Sequence, residues 1–220
     1  MERSENIYYP IFIDLTGKQV VVIGGGVVAE RKIESLLKAG ARVRVIAPEV
    51  LPGITSMDGI EIRRKTYASR DLDDAVLVIA ATDDEETNRT VSQDAERARL
   101  FCNVVDRPEL CSYIVPSVLE KGPIKIAIST GGVSPALSKK LRSVIGSLLG
   151  DEYSALSVIL GRIRPVVLSQ EGGHEGHRRV FDVLINSQLI DAIREGDRDL
   201  VDAILFEALG VHVDLEGVFP

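Results

Sequence analysis

Residues 24–29 have the order Gly-Gly-Gly-Val-Val-Ala, which has the form G-x-G-x-x-A. In this pattern the first glycine permits a tight turn, and the second lets backbone N–H groups approach a pyrophosphate. The small last residue allows close helix–strand packing. The helix that follows supplies unpaired N–H donors and a positive potential for the anion. We therefore predict that the segment 24–29 binds a dinucleotide; the alternative is a glycine-rich turn with a structural role alone.

Two later segments are candidates for binding the rest of a dinucleotide. In such folds an acid about 20 residues beyond the glycines binds the ribose, and Glu49, which follows Pro48, has that position. An acid there disfavours a 2′-phosphate, so NAD is favoured over NADP. Ala81 and Thr82 end a later apolar strand, where small side chains leave room for the nicotinamide. The alternatives are a solvated glutamate in a turn and tight packing at the strand end.

Asp106 is the candidate for acid–base chemistry. It follows the run Cys102-Asn103-Val104-Val105 at the predicted carboxyl end of a strand, where ligands bind in open α/β sheets. A carboxylate at such an edge can take a proton from a substrate. The alternative is a structural cap in the turn that Asp106 begins.

The elements that carry these residues alternate short β-branched runs with longer helical patterns, which is typical of a parallel α/β sheet. The first strand is apolar throughout, as expected for a strand covered on both faces. A Rossmann-like, dinucleotide-binding sheet is therefore predicted. Its strands are predicted at 19–23, 43–46, 60–66, 75–80 and 100–105, and its helices at 27–39 and from Thr82 to about residue 99.

The pattern changes after Asp106. Residues 113–116 and 124–128 have the composition of two strands, and the cluster at 120–123 between them is typical of a turn. Ser134 followed by proline predicts the start of a helix that runs towards residue 149, with the serine as its cap.

The last third of the chain has helical patterns, with a glycine-rich break at 171–176. The predicted fold class is therefore α/β, with a Rossmann-like parallel sheet, a small α+β segment and a helical C-terminal region. The corresponding domains are predicted at 1–112, 113–150 and 151–220.

Composition excludes several classes of protein. The 220 residues are 45% hydrophobic and carry a formal net charge of -7, which disfavours binding to nucleic acid. No apolar run approaches the roughly 18 residues that cross a membrane, and the polar residues 1–9 lack the apolar core of a signal peptide. Two cysteines outside any C-x-x-C pair favour a reduced, cytoplasmic protein.

Five segments, taken in order, resemble the siroheme synthase N-terminal family, which includes precorrin-2 dehydrogenase/sirohydrochlorin ferrochelatase enzymes. The resemblance covers about residues 8–145 and is specific as a set, whereas the last third is similar only in being helical. The segments are Tyr9–Leu15, Gly24–Lys32, Ala80–Asp84, Phe101–Asp106 and Ser129–Pro135.

This resemblance implies NAD-dependent oxidation of the tetrapyrrole precorrin-2 to sirohydrochlorin, with ferrous iron as a further substrate in some members. It implies that Asp106 is the key catalytic residue. It also implies a homodimer in which the segment after the nucleotide-binding domain forms much of the interface. The implied cofactor contacts are Gly24, Gly26, Val27, Val28, Pro48 and Glu49.

Substrate contacts are expected from residues within or next to the resembling segments. The acetate and propionate arms of precorrin-2 need cations, which Arg107, Lys139 and Arg142 can supply; the alternative for the last two is a solvated basic helix face. The other candidates are Asn103, Thr130, Gly131 and Ser134.

Two departures from the family pattern are visible. Thr130 stands where some relatives have serine. The methyltransferase domain of the larger fused members has no counterpart before the last residue, Pro220, so we expect another protein to perform the preceding methylation.

Two other functions compete with the dehydrogenase. An NAD-sensing regulatory module without turnover would explain the glycine segment but not the later motifs. A different small-molecule dehydrogenase would need another acid–base residue, for which Tyr113 is the best placed. His174 and His177 form an H-x-x-H pair, which we interpret as solvated rather than as a metal site.

Overall fold

The computed structural model describes residues 8–171 and 173–219. The chain divides into two compact units, Met1–Val115 and Pro116–Pro220. The prediction about a signal peptide falls mostly on residues 1–7, which lie outside the described residues, as does Gly172 within the predicted glycine-rich break.

A five-stranded parallel sheet forms the centre of the first unit. Its strands are β1 Gln19–Ile23, β2 Arg42–Ile46, β3 Ile60–Arg63, β4 Leu77–Ala80 and β5 Phe101–Val104. Their order across the sheet is β3-β2-β1-β4-β5. The central strand, β1, is fully buried because its apolar side chains face helices on both sides of the sheet. Val22 of β1 lies opposite Val45 of β2 and Ile79 of β4.

Helices cover both faces of this sheet. Ile33 packs with Val20 and Val22 on one face, whereas Val91 packs with Val21 and Ile23 on the other. The α-helices are α1 Val27–Lys38, α2 Pro52–Thr55 and α3 Glu85–Arg97, and short 3-10 helices span Ser69–Leu72 and Pro108–Leu110.

This topology confirms the predicted Rossmann-like sheet, with small differences at its edges. The third and fourth strands are shorter than predicted. The helix α3 begins at Glu85 rather than at Thr82, and its cap is Asp84, whose carboxylate accepts the N–H groups of Glu86 and Thr87, each at 3.3 Å. Since the sheet order reverses between β1 and β4, the loops after these two strands open a crevice at the carboxyl edge.

An antiparallel strand pair begins the second unit, and helices complete it. Its apolar core is formed by side chains such as Ile159, Ile163, Leu184 and Leu205. The elements are β6 Ser117–Lys121, β7 Ile124–Ile128, α4 Pro135–Leu148, α5 Asp151–Ser169, α6 Gly173–Ile185, α7 Leu189–Glu195 and α8 Arg198–Leu209.

Two predictions about this region were wrong in their boundaries. The strand predicted at 113–116 is instead β6, Ser117–Lys121. Residues 113–116 do not form a strand. They are held by a side-chain contact instead, because the Tyr113 carbonyl oxygen accepts a hydrogen bond of 3.1 Å from the side chain of Asn103. The glycine-rich stretch is largely helical, because α6 begins at Gly173.

No single helix in residues 8–171 and 173–219 is long and apolar enough to cross a membrane. Taken together, α4 and α5 have the length and composition to do so, but they are bent by 74° at their junction.

The buried cysteines give a test of the first unit's core. Cys102 is 3% exposed and Cys111 is 4% exposed, and burial raises the pKa of Cys102 to about 12. Because the thiolate is the reactive form, we expect Ellman's reagent to leave both thiols unmodified in the native protein at mildly alkaline pH. Both should react at once in denaturant. Rapid labelling without denaturant would contradict this packing.

Candidate functional site

A cavity of about 650 Å³ lies at the carboxyl edge of the parallel sheet. Its walls are formed by the loops after β1, β2, β3 and β4 and by the beginning of α3. All eight predicted cofactor residues line it: Gly24, Gly26, Val27, Val28, Pro48, Glu49, Ala81 and Thr82.

Gly24 makes the tight turn that was predicted for the first glycine. Its φ is 122°, a conformation that side-chain-bearing residues rarely adopt. A Cβ at this position would overlap the carbonyl oxygen of Ala81. The loop is held between two strands, because Gly24 donates to the Ile46 carbonyl oxygen at 2.9 Å and Ala81 donates to the Ile23 carbonyl oxygen at 2.7 Å.

Gly26 leaves the space in which a pyrophosphate can approach. It is the N-cap of α1 and has no capping side chain. A Cβ added there would meet nothing within 4 Å, so this edge of the cavity is open. The first N–H groups of a helix have no partner within the helix, and those of Val27 and Val28 therefore supply the donors and positive potential that an anion needs.

The predicted ribose-binding segment is fixed against the glycine loop. The Leu51 N–H donates to the Gly25 carbonyl oxygen at 3.0 Å, and a Cβ on Gly25 would overlap the carbonyl oxygen of Glu49. The Glu49 side chain is exposed at the end of β2. This position lets its carboxylate accept hydrogen bonds from ribose hydroxyl groups.

Sequence reasoning missed Lys65, Thr66 and Tyr67, which line the same cavity after β3. The Lys65 ammonium lies 2.6 Å from an oxygen of Asp71. The only sequence signal for these residues is their place just after a strand that neighbours β2, because the loops after parallel strands meet at one edge.

Thr82 has a structural role on the opposite side of the cavity. Its hydroxyl group donates to Asn88 at 3.0 Å and accepts from the Asp84 N–H at 3.2 Å. The Asn88 side chain also donates to the Thr82 carbonyl oxygen at 2.9 Å. These bonds fix the turn between β4 and α3, so that Ala81 and Thr82 form a rigid wall.

Asp106 lies exposed in the turn after β5, and β5 is the neighbour of β4, which ends just before Ala81. Its φ of 59° is left-handed, a conformation that aspartate tolerates better than most residues. Lys32 of α1 is half-buried; burial and the charge of Arg31 lower its pKa, whereas the Asp106 carboxylate opposes that shift. Lys32 was not predicted as a site residue, although it flanks the buried face of α1.

The other two candidates near Asp106 already have partners inside the first unit. The Asn103 amide donates to the Tyr113 carbonyl oxygen at 3.1 Å. Arg107 forms ion pairs with Glu85 and, at 3.8 Å, with Glu109. Their substrate contacts stay predictions.

The remaining substrate candidates lie together at the start of α4 in the second unit. The Thr130 hydroxyl group accepts the Ser134 N–H at 3.1 Å and lies 3.2 Å from the hydroxyl group of Ser138. Ser134 caps α4 by accepting the Leu137 N–H at 3.2 Å, as predicted. These bonds fix the glycine turn before the helix, and Gly131 has a left-handed φ of 63°. Lys139 is exposed on α4 and Arg142 is half-buried.

Comparisons with known proteins agree with this arrangement. Residues 11–117 match the family model described as "Putative NAD(P)-binding", and residues 121–148 match "Sirohaem biosynthesis protein central". The siroheme synthase of Thioalkalivibrio sulfidiphilus is 38% identical over 210 residues, which cover 94% of this chain and 43% of that protein. Over nearly its whole length, the chain is therefore similar to siroheme synthases.

Other siroheme synthases match to a similar extent. That of Actinobacillus pleuropneumoniae is 39% identical over 191 residues, covering 86% of this chain and 39% of that protein. The chain spans less than half the length of these relatives. A solved structure named "SirC, precorrin-2 dehydrogenase" has the same fold, with a TM-score of 0.77, 23% identity and coverage of 93% of this chain and 100% of that one.

The structure places Tyr113, the acid–base candidate for a different dehydrogenase, and the histidine pair at 174 and 177. Burial raises the pKa of Tyr113 far above its usual range, so this phenol stays protonated and is poorly suited to act as a base. His177 lies on α6, where its Nε2 is 2.9 Å from the carbonyl oxygen of Gln170. Residues 8–171 and 173–219 contain no group of three or more His, Cys, Asp or Glu side chains able to hold a metal ion.

Gly26→Ala tests the open edge of the cavity. The backbone of Gly26 suits any residue, since its φ is -91° and its ψ is -173°. We expect the variant to fold with a loss of about 0.5 kcal/mol from the poorer cap, because the added methyl group meets no protein atom. Its affinity for NADH should fall at least about tenfold, since the methyl group occupies the space for the pyrophosphate.

Nucleotide titration by fluorescence and thermal unfolding measure these two effects separately. Gly25→Ala is the matched control, because its Cβ would overlap the Glu49 carbonyl oxygen and should lower stability first. Unchanged nucleotide affinity in Gly26→Ala would rule out this position for the phosphates.

Proposed function

We propose that the chain is an NAD-dependent precorrin-2 dehydrogenase that forms sirohydrochlorin in siroheme biosynthesis. The observation that carries the proposal is the cavity at the carboxyl edge, which is lined by all eight predicted cofactor residues. Asp106 follows β5, the strand next to β4, at the same edge of the sheet. The names of the relatives support this substrate, although those relatives are more than twice as long.

The cofactor we propose is NAD, which accepts a hydride when bound. The open edge at Gly26 and the N-terminus of α1 fit its pyrophosphate. Glu49 fits the ribose hydroxyl groups and disfavours a 2′-phosphate. Ala81 and Thr82 provide a wall of small side chains on the side of the cavity that remains for the nicotinamide.

Asp106 is the proposed base. Oxidation of precorrin-2 removes a hydride, which the cofactor takes, and a proton, which needs an acceptor in the protein. The Asp106 carboxylate is exposed and available for this transfer. The half-buried Lys32 is close enough to the Asp106 carboxylate for the two charges to interact.

The second unit contributes substrate contacts in this proposal. Lys139 and Arg142 can pair with acetate or propionate arms of the tetrapyrrole, as can Arg107 of the first unit. Thr130, Gly131 and Ser134 form an ordered turn at the start of α4. Asn103 fixes the chain at Tyr113 and is the candidate with the most evident internal role.

We also propose that the chain forms a homodimer and that it is located in the cytoplasm. The domains we propose for each copy are residues 1–112, 113–150 and 151–220. An exposed apolar stripe on α4 supports the dimer. Leu137, Leu141, Val144 and Leu148 recur at helical spacing along one side and are 49%, 38%, 43% and 72% exposed. Such a stripe is typical of a helix that packs against a partner.

The decisive assay combines the purified protein, NAD and enzymatically generated precorrin-2 without oxygen. Formation of NADH together with the absorption spectrum of sirohydrochlorin would establish the reaction. Ferrous iron added afterwards tests whether the protein also acts as a ferrochelatase. NAD binding without NADH formation would favour the regulatory module.

Asp106→Asn tests the proposed base. Asparagine tolerates the same left-handed backbone, so the fold and the affinity for NAD should be retained. Turnover of precorrin-2 should fall about 100-fold or more, the usual contribution of a general base. Glu109→Gln, which neutralises an exposed carboxylate in the next turn, should stay active. Equal turnover of Asp106→Asn and the unmodified protein would exclude Asp106 as the base.

Leu141→Glu tests the dimer contact. A charge placed in the middle of the apolar stripe should weaken association at least about tenfold, because it would be buried without a partner. Light scattering after gel filtration, over a dilution series, measures the change. Lys140→Glu introduces the same side chain at the neighbouring exposed position and should remain dimeric. A dimer that withstands Leu141→Glu would place the interface elsewhere.

A further inference from the structure

Lys65 lines the cavity next to the proposed ribose-binding segment. Its backbone N–H donates to the Ala47 carbonyl oxygen at 3.2 Å, which places it beside Pro48 and Glu49. In folds of this type the chain just after β2 lies against the adenosine ribose. A cation at that place would normally attract the 2′-phosphate of NADP.

The Lys65 ammonium is instead committed to a buried carboxylate. Asp71 is 1% exposed, and its Oδ2 accepts hydrogen bonds from Lys65 Nζ at 2.6 Å and from the Ala68 N–H at 2.9 Å. The next cation, on Arg63, lies 3.6 Å from the other oxygen and also pairs with Glu61 at 2.7 Å. Lys65 is therefore the main partner of this carboxylate.

The ionised form of the Asp71 carboxyl group is favoured although the side chain is buried. Burial alone would raise its pKa, but the hydrogen bonds from Lys65 and the Ala68 N–H, together with the nearby positive charges, leave the pKa below its usual value. Moving the ammonium to a ligand phosphate would leave a buried carboxylate without its main partner, which is strongly destabilising.

We propose that Asp71 is a specificity-determining residue that favours NAD over NADP by withholding the Lys65 ammonium from the adenosine ribose. The inference rests on the proposed binding of NAD in this cavity. Two carboxylates then act against a 2′-phosphate in different ways. Glu49 repels it directly, whereas Asp71 removes the cation that would otherwise bind it.

Asp71→Asn is the test, because the amide oxygen can still accept the Ala68 N–H while the charge is removed. Displacement of bound NADH, followed by its fluorescence, gives inhibition constants for NAD and NADP. We expect the constant for NADP to fall about tenfold, the scale of one charge-assisted hydrogen bond, and that for NAD to change less than about twofold. The gain should shrink as salt is added.

Two further variants identify the cause. In Asp71→Asn combined with Lys65→Met, the gain for NADP should disappear, since the released ammonium is gone. Asp74→Asn is the matched control: it makes the same charge change at the exposed partner of Arg44, outside the cavity, and should leave the preference unchanged. A gain that survives Lys65→Met, or that Asp74→Asn reproduces, would overturn the inference.

Lys65→Gln alone keeps the inference testable if Asp71→Asn does not fold, because the glutamine amide has no charge but can still donate a hydrogen bond to the buried Asp71 carboxylate. A withheld ammonium contributes nothing to NADP binding, so the affinity for NADP should stay within about twofold of the unmodified protein. A tenfold loss would show that Lys65 already binds the 2′-phosphate.

The same titration separates this inference from the proposed function. Normal NAD binding without a gain for NADP in Asp71→Asn overturns the role of Asp71 alone. Failure of the unmodified protein to bind NADH overturns the proposed function and this inference with it.

Discussion

The close approach of the Gly24 loop to two neighbouring strands is the constraint on which the cavity depends. Gly24 bonds to the end of β2 and lies against the Ala81 carbonyl at the end of β4. The backbone therefore sets the spacing of three strand ends, and α1 begins at the centre of that edge. Any side chain at Gly24 would push these strands apart, so the shape of the cavity follows from main-chain contacts rather than from its lining side chains.

Local patterns were sufficient to predict the nucleotide-binding elements. The apolar run of β1 and the glycine segment after it each carry their signal within a few residues, so the strand, turn and helix were placed correctly. The segment after Asp106 was harder, because its apolar composition at Tyr113 resembles a strand. In the structure that segment is fixed by the side chain of Asn103 instead, a contact that no local pattern indicates.

Local sequence patterns also do not indicate the ion pair of Lys65 and Asp71 in the site. The two residues are close in sequence, but the pairing depends on how the end of β3 and the 3-10 helix at Ser69–Leu72 fold against the sheet. In the sequence, Lys65 is one of 26 lysine and arginine residues, and nothing there distinguishes it from the others. Only burial of its partner makes it different from a solvated lysine, and burial is a property of the complete unit.

The left-handed backbone at Asp106 limits the types of residue that this turn can accommodate, whatever their chemical role. A residue with a Cβ needs roughly 1–2 kcal/mol to adopt this conformation, and aspartate, asparagine and glycine manage it with the least strain. Glutamate would keep the charge but strain the turn, whereas glycine would relax the turn and remove the charge. A library of substitutions at this position would thus report two separate properties, and inactivity there would need a stability measurement before it could be read as chemistry.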